Sequence, residues 1–216
     1  MMEKKYKLTE ETINVDGRTL YRIEALKDFD VVEKGDKGGF IENESNLSQS
    51  GDCWVYGNAK VSDNAMVCGN AKVYGNARVY CNALVCGNAQ VYGHAIVRGN
   101  AEVYGHADIC GDAQVYDEAK VYDNAEVSGN AQVFGNTEIR GDAVITSKSD
   151  YILFKNWWSS GRHFTWTRSN NMWKVGCFYG TGEELIEKAY KDSEMSGEEY
   201  ERVVKYVDAI LKANKL

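Results

Sequence analysis

An aliphatic residue recurs at every sixth position from 55 to 145, and all sixteen of these residues are Val or Ile. Alanine follows four places after each, from 59 to 143, with Thr137 as the single exception. A period of six fits neither the helix nor the strand, so every unit must contain a bend. The Gly-Asn pairs of the repeat Val-Tyr-Gly-Asn-Ala-Lys supply it, because glycine takes positive φ freely and asparagine tolerates it. Ala-Lys-Val-Tyr is then a short strand whose Ala and Val point inward while Lys and Tyr point outward.

The flanks read differently. Thr12-Ile13-Asn14-Val15, Asp16-Gly17 and Thr19-Leu20-Tyr21-Arg22-Ile23 predict a hairpin with a type I′ turn. Gly35-Asp36-Lys37-Gly38-Gly39-Phe40 predicts a tight loop into a first irregular coil whose inward residues are Ile41 and Leu47. It lacks the GxxxxGK[ST] spacing of a phosphate loop and is read as structural. Beyond Thr146 three strands are expected over 151–156, 163–168 and 172–178, then two helices opened by the capping boxes Thr181-Gly-Glu-Glu184 and Ser196-Gly-Glu-Glu199. Tyr200, Val203, Val204, Val207 and Leu211 form the apolar stripe of the second helix. The chain thus divides into a cap over 1–52, a repeat region over 53–146 and an α+β module over 147–216.

The hexads resemble the hexapeptide-repeat family of left-handed parallel β-helices, in which three hexads close a triangular coil of about 18 residues. The resemblance covers about 94 residues and implies a mainly β fold, a rod of roughly 25 Å at the ~4.8 Å strand spacing. It also implies a homo-oligomer, a trimer, and in the family's enzymes acyl transfer from acyl-CoA with a histidine as general base in a cleft between two rods. Tyr21-Arg-Ile-Glu-Ala-Leu-Lys-Asp-Phe29, the glycine loop and the hexads together resemble bacterial and prophage-encoded proteins labelled transferases. The end module resembles one that recurs in phage-associated proteins, which implies a counter-defence binder in the host cytoplasm.

Coils of this length stack the outward residues into ladders. Trp54, Tyr56, Tyr74 and Tyr92 share one face; Met66, Cys68, Leu84 and Cys86 share a second; Arg78, Tyr80, Arg98 and Tyr116 share the third. The apolar second face predicts cover by a partner subunit or by the terminal domain, with Met66/Leu84 or Tyr56/Tyr74/Tyr92 in the oligomer contact.

Composition narrows the function. Against 25 basic residues stand 32 acidic ones, a net charge of −7 that disfavours nonspecific binding of duplex nucleic acid. No run of 18 apolar residues spans a membrane, and the N-terminus has no signal-peptide core, so a cytoplasmic location is expected. Six cysteines without CxxC spacing read as free thiols, and no Cys/His spacing suits a metal. Residues 147–182 depart from the average: five cations face only Asp150, and four of the five tryptophans lie there.

Two chemistries compete. His94 and His106 are the candidate general bases of an acyltransferase, but both occupy the corner slot that asparagine fills elsewhere, and the hexads run on without an inserted loop to wall a pocket. Trp157, Trp158, Arg162, His163, Trp166, Arg168, Trp173 and Lys174 are the types that stack on a ring and neutralise a phosphate. Packing alone is the other reading of this set, since alternation in Phe164-Thr165-Trp166-Thr167-Arg168 separates Phe, Trp and Arg from two threonines. The expected function is a non-catalytic solenoid that binds a nucleotide-like anion or a host protein without a cofactor. The alternatives are an acyl-CoA-dependent acyltransferase and a structural spacer.

Overall fold

The computed structural model describes residues 4–156 and 161–213. Two compact units are present, Met1–Asp150 and Tyr151–Leu216.

In the first unit the hexads form two-residue strands that stack in parallel on three walls. Lys72–Val73 pairs with Trp54–Val55 on one side and Gln90–Val91 on the other, so each coil takes 18 residues, as the family resemblance implies. Lys72 N donates to Ala89 O at 3.0 Å and Tyr74 N to Val91 O at 3.0 Å, and the pattern repeats along the wall. The Val, Ile and Ala rows are sealed, with Val73, Val91, Ala77 and Ala95 all at 0 % exposure. Each fully buried valine contributes about 1.5–3 kcal/mol relative to exposure. The exceptional Thr137 is also inside, and its hydroxyl donates to Phe134 O at 2.6 Å, which offsets the cost of burying it. The corners close tightly: Gly87 has φ 67, and a Cβ there would lie 2.9 Å from Gly105 N of the next coil.

The cap continues one wall. Strands β1 (Tyr6–Val15) and β2 (Arg18–Ala25) form the expected hairpin, with Asp16 at φ 53 and Gly17 at φ 84 in its turn. It starts earlier than the sequence suggests, because a bulge between Leu8 and Thr12 absorbs the break in alternation. Part of the expected glycine loop is itself a strand, β3 (Lys37–Ile41), antiparallel to β2 and parallel to Lys60–Val61. Gly38 and Gly39 are needed for closeness: a Cβ on Gly39 would lie 2.6 Å from Ala59 O. Ile41 and Leu47 point inward at 0 % and 1 % exposure. Phe40 pairs with Lys60 and Leu47 with Val67, so this first coil takes 20 residues, the extra pair falling between Leu47 and Val55. Trp54, expected on an outer wall, is covered by the cap, where Tyr6 and Phe29 meet its ring edge-on at 6.1 and 5.3 Å. Beneath them Lys5 is buried, its ammonium donating to Cys53 O at 2.8 Å and Gly51 O at 3.0 Å. Desolvation there lowers its pKa.

The second unit is a four-stranded antiparallel meander, Tyr151–Lys155, His163–Thr167, Met172–Val175 and Phe178–Gly180. The last two replace the single strand expected over 172–178. Val175 pairs with Phe178 across the two-residue loop Gly176-Cys177, and Gly176 at φ 54 makes the reversal. Helices α1 (Gly182–Asp192) and α2 (Glu194–Ala213) follow. Thr181 and Glu184 form the expected capping box on α1. The second expected box does not open α2, which begins earlier: Ser193 Oγ accepts from Ser196 N at 3.1 Å, placing the capping side chain three residues upstream. The sheet contributes Phe164, Trp166, Trp173 and Val175 to a core completed by Leu185, Ala189, Tyr200, Val204 and Val207 from the helices.

Candidate functional site

The aromatic and cationic residues of the second unit divide by depth. Trp166 and Trp173 are cross-strand partners, each 2 % exposed, and both belong to the core. Trp166 Nε1 donates to Asn171 Oδ1 at 2.8 Å, so the polar edge of that indole is satisfied within the unit. Lys174 is buried and turns its ammonium onto the Gly176 carbonyl. His163 is half-buried opposite Lys155. Trp157 and Trp158 lie outside the described residues. Arg162 is exposed and Arg168 half-buried, and each borders its own cavity.

The Arg162 cavity, about 360 Å³, lies between the Gly176-Cys177 turn and α1. The positive φ of Gly176 folds the turn beneath the arginine stem, since a Cβ on Gly176 would lie 3.4 Å from Arg162 Cδ. Lys188 and Asp192 face the cavity one helical turn apart, and Phe178 and Tyr200 line its aromatic part. Tyr200 is held by an edge contact with Phe164, ring centroids 4.7 Å apart. Two cations against one carboxylate give this cavity a positive balance. The Arg168 cavity, about 260 Å³, also contains Asp208 and is balanced in charge. Lys188 and Asp192 were not singled out by sequence reasoning. Their spacing marks one helix face, but nothing local shows that this face meets the Gly176 turn.

On the first unit the two candidate bases, His94 and His106, are exposed corner residues. Their backbone N–H groups donate to Gly111 O at 2.8 Å and Asp123 O at 2.6 Å, continuing the rung pattern of the asparagine corners. Burial and the neighbouring Cys86 push the Cys68 thiol up to about 11, so at neutral pH it is protonated and a poor nucleophile. Among the described residues no cluster of three or more His, Cys, Asp or Glu is placed to hold a metal.

Residues 71–87, about one coil, match a family described as the YdcK beta solenoid repeat. The first unit is a parallel β-solenoid built of six-residue repeats. No curated protein matches the chain. The matched rungs account for the fold of the solenoid and carry no part of the second unit. On the outer walls of the solenoid, Met66 is 42 % exposed and in register with Leu84, which is half-buried. Tyr74 and Tyr92 stack at 4.7 Å with their rings 2° from parallel, and Tyr56, also half-buried, precedes them in the ladder.

Proposed function

We propose that this β-solenoid is a non-catalytic binding protein whose second unit holds a small nucleotide-like anion in the cavity beside Arg162 and Lys188. The observation that carries the reading is the pairing of a positive charge balance with aromatic lining in one concavity. A guanidinium offers fork geometry to a phosphate or carboxylate, and a ring packs against the remainder of the ligand. A chain of −7 repels anions in general, so a local positive balance selects where one is held. The exposed corner positions of His94 and His106 support the non-catalytic reading, since a general base needs a positioned partner and a pocket. The same reading includes a homotrimer in contact through the Met66/Leu84 or Tyr56/Tyr74/Tyr92 wall, and a cytoplasmic counter-defence role that sequesters a nucleotide signal or blocks a host protein.

Calorimetric titration of the whole chain with inorganic phosphate and nucleoside phosphates tests it. Saturable binding that weakens with added salt is expected, and Arg162→Ala with Lys188→Ala should reduce it while the melting curve is retained. Binding that is unchanged in the double variant, or absent across the series, overturns the reading. Light scattering that returned a monomer mass would remove the trimer.

A further inference from the structure

We propose that the first unit carries a separate ligand site, a polar groove that takes an uncharged saccharide, where the N-terminal cap leans over one corner of the solenoid. The groove has a volume of about 430 Å³. One side is a tight turn in which Phe29 and Val32 exchange backbone hydrogen bonds of 3.0 and 2.8 Å. The turn is fixed twice: the Phe29 ring abuts Trp54, and the Asp30 carboxylate lies 2.7 Å from Lys72 Nζ. The left-handed backbone of Asp30, φ 47, aims that carboxylate at the wall.

The other side is a ladder of amides. Asn70 Nδ2 donates to Asn88 Oδ1 at 3.1 Å, and Asn88 Nδ2 lies 3.5 Å from His106 Nε2, each one coil apart at the ~4.8 Å rung spacing. Gln90 stands beside them, its Oε1 accepting from Tyr74 Oη at 3.1 Å, which leaves its NH2 to donate. That bond ties the stacked Tyr74 and Tyr92 rings to the edge of the groove.

The lining excludes other ligand classes in turn. Asp30 and Lys72 neutralise each other, and the remaining carboxylate, Asp52, disfavours an anion. Every lining residue is polar, so an apolar ligand finds no wall. No metal-ligating cluster is present among the described residues. What remains are side-chain amides at a regular spacing, each with a second N–H and a second lone pair beyond the bonds of the ladder. Sugar hydroxyls, each able to donate and to accept, match that pattern rung by rung.

The test is saturation-transfer NMR and calorimetry on the whole chain with neutral oligosaccharides of glucose, galactose and N-acetylglucosamine, with inorganic phosphate alongside. At least one saccharide should bind saturably, and Asn88→Ala with Gln90→Ala should weaken it by about tenfold or more, the loss of one or two hydrogen bonds. The variant's circular dichroism and melting should be unchanged, because both side chains point away from the Val and Ala rows. Arg162→Ala with Lys188→Ala should leave saccharide binding intact, which separates this site from the one in the second unit. No saturable binding in the series, binding indifferent to the Asn88/Gln90 variant, or phosphate binding lost in that variant would each overturn the proposal.

Discussion

The two units reach a buried core by opposite routes. In the solenoid the core is one pair of residues written again and again, and Val91 lies between Val73 and Ile109 as any rung lies between its neighbours. In the second unit each core residue occurs once, and Phe164, Trp166, Trp173 and Tyr200 share a single cluster with Val175, Leu185, Ala189, Val204 and Val207. Repetition makes the solenoid's interior shallow and redundant, since a rung contacts only the rungs above and below. The second unit concentrates its stability in a few large rings. A tryptophan in the first is a cap contact, whereas two in the second are the core.

The largest effect should come from placing a charge in the repeated row. Val91→Asp puts an unpaired carboxylate where exposure is 0 % and no partner can reach it, a penalty of more than about 5 kcal/mol. Insoluble or unfolded protein is expected by circular dichroism, and a cooperatively melting variant would show that the rows do not face inward. Trp173→Ala should cost about 3–5 kcal/mol. The loss should fall on one unit alone: hydrogen exchange would show residues 163–180 unprotected while the solenoid rungs stay protected. Simultaneous loss in both units would break the contrast, because it would mean that the units melt as one.

The contrast also explains what was legible in the sequence. The solenoid's inward rows followed from alternation, because a period that repeats leaves one consistent assignment of faces, while the 18-residue coil followed from the family resemblance. Alternation in Phe164-Thr165-Trp166-Thr167-Arg168 carries less information. Thr165 and Thr167 are buried along with Phe164 and Trp166, so that alternation separates two buried faces rather than inside from outside. The cap was half legible. Its hairpin turn has local chemistry in Asp16-Gly17, but burial of Trp54 depends on Tyr6 and Phe29, which are distant in sequence. The Arg162 cavity was legible only as a cation in a basic stretch, since its shape depends on the unforeseen strand break at Gly176 and on the helix face that carries Lys188 and Asp192.

Redundancy itself can be tested by removing a whole coil. Deleting residues 109–126 joins Asp108 to Val127, and because Asp108 pairs with Glu126 the wall continues in register. The shortened chain should fold and melt only a few degrees lower, since one nearest-neighbour term is lost and no new one is introduced. Removing a smaller share of the second unit, such as the strand Met172–Val175, should abolish its fold. Failure of the shortened solenoid to fold would mean that the rungs are not interchangeable.

The smallest effect concerns the corners, where redundancy is imperfect. Cys81 holds φ 62 in a slot that is Gly99 in the next coil, at φ 71. A side chain in the left-handed region costs roughly 1–2 kcal/mol; replacing it by glycine removes that strain but loses about 0.5–1 kcal/mol to the freer unfolded chain. The bond from Cys81 N to Asp63 Oδ2, 3.0 Å, is a backbone donor's and survives the change. Cys81→Gly should therefore stabilise the solenoid by about 0.5 kcal/mol. The reverse change, Gly99→Ala, should destabilise it by about 1 kcal/mol, because the new Cβ must also sit 2.8 Å from Asp117 N. Paired denaturant titrations of the two variants check the signs. If Cys81→Gly proved destabilising by a similar amount instead, the half-buried thiol would be packing against its neighbours strongly enough to outweigh the strain, and this corner would be a single-copy feature of the kind that dominates the second unit.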